Sequence, residues 1–393
     1  MAQAPRALSL VELRRFERLG DLVQACLSID GGSASEPEEA LLARAREWPA
    51  KLLPTLLSAW SHEGRELGED LADELERHRE RARRYAAVAS ALRESHPNLI
   101  AIKGTSIAEA YPPPLVRQTN DLDYVVTDSD AVWRAAAFLQ DSGMKLASAT
   151  LVRIGDALHP LVSLERDDAD PVLGVESVEL TSVGCFGNFC SVGARPVEPS
   201  LLEGRAGALA TVVAEGFERP FGARDLLDAY VLLSGDLDRG RLRHILERWS
   251  LEPELLSLLV SLRRAGLVDA IPRSVRQAAV ASKSRRVLRA SLNHLVPTAA
   301  VGRAQRRAVV HERTEGAILR QLGRILVVRP AEALRAGLPL WGLQVDERRH
   351  QRTDFESRRD VLLARTPAGS FAFVAGREVR EEWLEAPTAE GGS

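Results

Sequence analysis

Apolar positions recur at helical spacing through residues 5–95. Their clearest stripe runs Leu67, Leu71, Leu75, Ala82, Tyr85, Val88 and Leu92, with Glu and Arg on the remaining faces. Pro97 stops this pattern, and the period then shortens. An apolar run, Leu99 to Ile102, ends in Lys103-Gly104-Thr105-Ser106; a short helical pattern follows, and Asp121-Leu122-Asp123 opens a second run, Tyr124-Val125-Val126. The spacing predicts a strand, a glycine turn opening a helix, and a strand headed by two carboxylates. Asp128 and Asp130 precede Ala131–Leu139 as N-cap and first-turn residues of a helix that Gly143 stops. Residues 146–195 read as β-rich and turn-rich. Within them Val175–Thr181 alternates, with Ser177, Glu179 and Thr181 on one face and Glu176, Val178 and Leu180 on the other. Helical patterns resume from Leu201. The tail returns to β: Leu338–Val345 is one strand-like run, and Asp360–Arg365 with Ser370–Val374 flank Thr366-Pro-Ala-Gly369 as a hairpin.

This succession predicts an α+β chain in several parts. The expected divisions are a helical region over 1–95, a catalytic domain over 96–200, a helical domain over 201–330, a small β-rich module over 331–386, and a disordered tail over 387–393. At 393 residues the chain is long enough to bury a sizeable core.

A formal charge of −3 gives no global push toward nucleic acid or membrane. The start of the chain mixes acids and bases with its apolar positions, so no targeting signal is expected. No apolar run approaches the ~18–20 residues of a spanning helix. The three cysteines, Cys26, Cys185 and Cys190, are too few and too spaced for a structural zinc site, and free thiols in the cytoplasm are the expectation over a Cys185–Cys190 hairpin disulfide. Charge is uneven locally. Residues 281–320 hold nine Lys or Arg (Lys283, Arg285, Arg286, Arg289, Arg303, Arg306, Arg307, Arg313 and Arg320) against Glu312 and Glu315. Such a stripe suits RNA, an anionic peptide or a triphosphate, but few aromatics interleave to stack bases.

Chemistry concentrates at 99–126. The chain carries four D-x-D pairs, and Asp121/Asp123 is the one that opens an apolar, β-rich run behind a basic glycine turn. On an extended strand these two carboxylates point the same way, a hard-oxygen arrangement for Mg²⁺. Backbone N–H groups at the glycine turn offer a seat for phosphate. Only 4 of the 52 basic residues are lysines, so Lys103 stands out, and its compact ammonium suits a triphosphate. Arg117, four residues before Asp121, could neutralise phosphate, pair with the aspartates or join a purely structural ion pair. In the Phe221–Tyr230 segment, Arg224, Asp225 and Asp228 could touch a ligand, though an i,i+4 pair between Arg224 and Asp228 explains them equally well. His159, before Pro160, reads as structural.

Taken together, I-K-G-T-S, then Tyr111-Pro112, Arg117 and D-L-D-Y-V-V resemble the polymerase-beta-like nucleotidyltransferase superfamily. Within it the pattern is similar to the bacterial "uncharacterised nucleotidyltransferase" family, whose members read L-K-G, then Y-P, R and D-I-D. The resemblance covers roughly residues 70–250. It implies a nucleotidyltransferase fold with a small mixed sheet and flanking helices, and transfer of a nucleoside monophosphate from a nucleoside triphosphate with release of pyrophosphate. It places Asp121 and Asp123 as the Mg²⁺ pair, and Gly104 with Ser106 in the phosphate-contacting turn, beside Lys103, Thr105 and Arg117. The longer gap holding Pro112-Pro113-Pro114, and Gly-Thr-Ser in place of Gly-Ser, depart from the wider superfamily.

Two-metal chemistry calls for a third acid. V-E-L-T resembles the family's V-D-L-H setting, so Glu179 on the polar face is expected as the catalytic and metal-binding third carboxylate, ahead of Glu176. The expected acceptor is the hydroxyl of a small molecule or peptide from a biosynthetic pathway. RNA modification in the manner of toxin-type relatives, through 281–320, is the alternative, as is an inactive nucleotide or peptide binder with the same fold.

Overall fold

The computed structural model describes residues 13–30, 37–47, 51–167, 173–183, 198–217, 219–282, 329–335, 339–358 and 360–375. The basic stripe beyond residue 282, Cys185, Cys190 and the 387–393 tail lie outside these residues. In chain order the first elements are α1 (Leu19–Leu27), α2 (Glu38–Arg46), α3 (Leu53–His62), α4 (Glu69–Ser95), β1 (Ile100–Ala101), α5 (Thr105–Ala108) and β2 (Asp121–Val125). Next come α6 (Ser129–Asp141), β3 (Lys145–Ile154), β4 (Ala157–Asp167), β5 (Val175–Thr181), α7 (Pro199–Leu202), α8 (Gly204–Ala214), α9 (Ala223–Ser234), α10 (Arg239–Trp249) and α11 (Glu252–Arg264). Last are α12 (Pro330–Arg335), β6 (Leu340–Asp346), β7 (Asp354–Ser357), β8 (Leu362–Thr366) and β9 (Gly369–Val374). The described chain is therefore mixed α/β, with mostly antiparallel strand pairing. None of the described helices is long and apolar enough to cross a membrane.

Contacts divide the chain into two units, each assembled from three segments. The first comprises 1–124, 169–174 and 198–295; the second comprises 125–168, 175–197 and 296–393.

In the first unit, α1 buries Leu22, Val23, Cys26 and Leu27 and packs on α3 and α9. α8, whose eight consecutive residues Ala206–Val213 are buried, packs against α9, α10 and α11. Helix α4 turns Leu75, Tyr85, Ala89 and Leu92 inward, much as the apolar stripe predicts, but its inner face also carries the buried Arg81. That side chain is held by backbone carbonyls: Arg81 donates to Leu173 O and to Asn120 O, and the Tyr85 hydroxyl donates to the same Asn120 carbonyl. A buried guanidinium needs such acceptors. Helix α4 thereby holds the residue immediately before Asp121.

In the second unit, seven strands form an antiparallel run in the order β5-β4-β3-β6-β9-β8-β7. This is larger than the small sheet expected, because the C-terminal strands do not stand apart. β6 pairs with β3 in the register Ala149↔Gly342, Thr150↔Trp341 and Leu151↔Leu340. The pairing covers an edge of β3 whose N–H and C=O groups would otherwise lack partners. The expected hairpin is present between β8 and β9, with Thr366 opposite Gly369. Gly369 takes φ +127° there, a conformation open to glycine. α6 packs on β4, β5 and β3, and the Asp128 carboxylate caps it by accepting from Asp130 N at 2.9 Å, as predicted. Its Trp133 is fully buried with its ring 5.0 Å from that of Phe371. Truncating Trp133 to alanine is expected to cost about 3–5 kcal/mol, read as a lowered denaturation midpoint.

Candidate functional site

Gly104 and the aspartate strand are in direct contact within the first unit. Gly104 adopts φ +60° and ψ −109° just before α5, and a Cβ built on it would lie 2.6 Å from the Asp121 carbonyl oxygen. Only a residue without a side chain permits that approach. The paired β1–β2 backbone fixes the register, with Ile102 N–H donating to Asp123 C=O at 2.9 Å. The backbone of the Lys103-Gly104-Thr105-Ser106 turn and that of the strand bearing the two aspartates are therefore neighbours. Gly104→Ala is expected to destabilise the unit by about 1–3 kcal/mol, since it adds both backbone strain and a clash with a backbone atom. A urea titration measures this.

Around the turn the predicted residues divide by role. Ser106 Oγ donates back to Lys103 O at 3.3 Å, and burial pushes the Tyr124 phenol up to about 12. Leu122 is buried in the core, while Asp121 is half-buried and Asp123 is 9% exposed. Lys103 Nζ donates to Glu215, in the short turn that closes α8.

Arg117 is placed for structure. Its Nε and Nη2 each donate to Asp228 on α9 at 2.8 Å, its Nη1 donates to Gly104 O at 3.4 Å, and its side chain is 5% exposed. The Tyr111 hydroxyl donates to the same carboxylate at 2.6 Å. Of the roles open to Arg117 in the sequence, the structure shows a structural ion pair, with Asp228 as its partner. Arg117 acts on the turn through the Gly104 carbonyl. The expected i,i+4 pair between Arg224 and Asp228 is likewise replaced, because both Asp228 oxygens are taken by Arg117. Arg224 acts on Asp228 through space, and together these cations hold its carboxyl low against the opposing effect of burial. Asp225 instead accepts from Arg219 and from Gly222 N at the start of α9.

Lys51 is the residue the sequence reading missed. It is half-buried, takes a left-handed φ of +46°, and lies within the electrostatic reach of Asp121, Arg224, Arg219 and Arg117. Burial, then the neighbouring Arg224, pushes its pKa down to about 8. Its rarity in an arginine-rich chain was the available signal, and it applied to Lys51 as much as to Lys103.

Glu179 and Glu176 belong to the second unit, on β5. Glu176 is buried and accepts from Arg166 Nε at 3.2 Å across the β4–β5 pair, so its charge is committed there. Glu179 lies opposite Ser163 on the half-buried polar face with Ser177. His159 Nδ1 is 2.9 Å from Ser182 Oγ, in keeping with a structural role. Among the described residues, no group of three or more His, Cys, Asp or Glu side chains is gathered that could hold a metal ion.

Asp121 and Asp123 suit a hard divalent ion by donor chemistry. Mg²⁺ is commonly held by one or two carboxylates, with phosphate oxygens and water filling its remaining positions. Comparisons with protein-family models, curated proteins and solved structures give no match to this chain.

Proposed function

We propose that this chain is a Mg²⁺-dependent nucleotidyltransferase, moving a nucleoside monophosphate from a nucleoside triphosphate to an acceptor hydroxyl with loss of pyrophosphate. One observation carries the reading: the glycine turn is packed against the carbonyl of Asp121 as closely as glycine allows. A phosphate seat and an acidic pair on adjoining backbone are what phosphoryl transfer needs, since its catalysis is mostly positioning and charge stabilisation.

Asp121 and Asp123 would hold the ion, which when bound neutralises phosphate charge. Gly104 keeps the turn open, and Lys103 offers the triphosphate a mobile ammonium. Arg117, Tyr111 and Asp228 hold the turn from behind, while Arg81 and Tyr85 fix the strand entry at Asn120. A small molecule or peptide is the proposed acceptor, with RNA as the alternative.

The second reading is a nucleotide binder without turnover, favoured by the lack of a gathered third acid among the described residues. Incubation with labelled nucleoside triphosphates, with Mg²⁺ or with chelator, separates the two. Mg²⁺-dependent release of pyrophosphate supports transfer. Saturable nucleotide binding with no turnover on any acceptor pool supports the binder.

A further inference from the structure

The first unit contains two ion pairs of opposite character beside the same glycine turn. Arg117–Asp228 is closed, with side chains 5% and 3% exposed. Lys103–Glu215 is open, at 31% and 16%. The open carboxylate also has a second direct partner, since Glu215 Oε2 lies 3.4 Å from Arg219 Nη2. Arg224 bears on it electrostatically as well. Burial would raise the Glu215 carboxyl, but Lys103, Arg219 and Arg224 outweigh it and hold the group below the usual range.

We infer that Lys103 and Arg219, with Arg224 beside them, form an anion seat in which the Glu215 carboxylate stands, and that a phosphate of the triphosphate displaces it. The identity of the anion rests on the nucleotide reading above.

Three features favour exchange over a fixed structural pair. Arg219 is held in place independently of Glu215: its Nη2 donates to Asp225 Oδ1 at 3.0 Å, and Asp225 is itself fixed by accepting from Gly222 N at 2.9 Å. The seat therefore stays assembled when Glu215 leaves, and a pre-formed site loses little on binding. Lys103 sits on a flexible stem and, unlike Arg117, is reachable from solvent. A partly exposed pair adds little to stability, so changing its partner is cheap, and a phosphate brings more charge and more acceptor oxygens than a carboxylate. Glu215 thus mimics the ligand. It keeps the cations from repelling one another and sets a threshold that only a highly charged anion passes.

Calorimetric titration of the full chain with inorganic tripolyphosphate, without divalent metal, reads the seat apart from the aspartate pair. Glu215→Gln, which keeps the shape and removes the charge, is expected to bind tripolyphosphate about tenfold more tightly, or ~1.4 kcal/mol. Lys103→Met is expected to bind it at least about tenfold more weakly. Unchanged or weaker binding by Glu215→Gln overturns the inference, as does unchanged binding by Lys103→Met, or no binding by the wild-type chain. Thermal melts of each variant confirm folding, and should Glu215→Gln not fold, the Lys103→Met comparison decides alone. Mg²⁺-dependent pyrophosphate release is measured separately, so failure of the seat and failure of the transfer reading give different results.

Discussion

Asp228→Ala is expected to lower the unfolding free energy by about 3–5 kcal/mol, the range for removing one partner of a buried ion pair. The cause is the group left behind. Arg117 would keep a full charge at 5% exposure with two of its donors unpaired, and the Tyr111 hydroxyl would lose its acceptor as well. Asp228→Asn keeps the shape but not the charge, and is expected to fall between alanine and wild type. Replacing both partners with apolar residues, as in Arg117→Met with Asp228→Leu, is expected to cost less than the alanine change alone, because no uncompensated charge remains. Urea denaturation of wild type and these three variants tests this, and a double variant that costs as much as Asp228→Ala or more would contradict it. The pH dependence has a definite sign. Burial raises the Asp228 carboxyl, but Arg117 lowers it further, so its folded pKa lies below the unfolded value near ~3.9. Its contribution is complete above that value and is lost as the pH falls through the lower folded one. Wild type is therefore expected to lose stability faster than Asp228→Asn in strongly acidic solution. Because Arg117 also donates to Gly104 O, the loss extends to the conformation of the turn.

Under the proposed nucleotidyltransferase reading, Asp121→Asn and Asp123→Asn are each expected to reduce transfer by about 10³-fold or more, equivalent to ~4 kcal/mol of transition-state stabilisation. An amide retains size and one oxygen but gives up the negative charge that a hard divalent ion requires. Asp121 is half-buried and its charge interacts with Lys51 and Arg117, so its neutralisation should leave the fold within about 1 kcal/mol. The measurement is the initial rate of label transfer from a nucleoside triphosphate at saturating Mg²⁺, with a melt as control. Activity within tenfold of wild type in both variants would remove these residues from the chemistry. Loss of transfer with retained tripolyphosphate binding would separate the acidic pair from the Lys103–Arg219 seat.

Local features of this protein are legible from the chain itself. The Asp128 cap of α6, the alternation that buries Glu176 and leaves Glu179 half-exposed, the hairpin at Thr366–Gly369, and the inward face of α4 from Leu75 to Leu92 all follow from neighbours within a few residues. Their signals are periodicity, capping and turn chemistry, which act over one or two turns of backbone. The glycine of the turn also stands out, because close backbone approach at a positive φ demands that residue type.

Partnerships between distant residues could be settled only by the folded chain. Asp228 has Arg224 within one helical turn, yet it pairs with Arg117, 111 positions away, since burial rewards a fork that satisfies both oxygens. Lys103 meets Glu215, Arg81 and Tyr85 meet Asn120, and the C-terminal strands join β3 through β6, each across a long stretch of sequence. No local pattern encodes such choices. They arise when packing excludes water and every charged or polar backbone group left inside must find whichever partner the fold brings near.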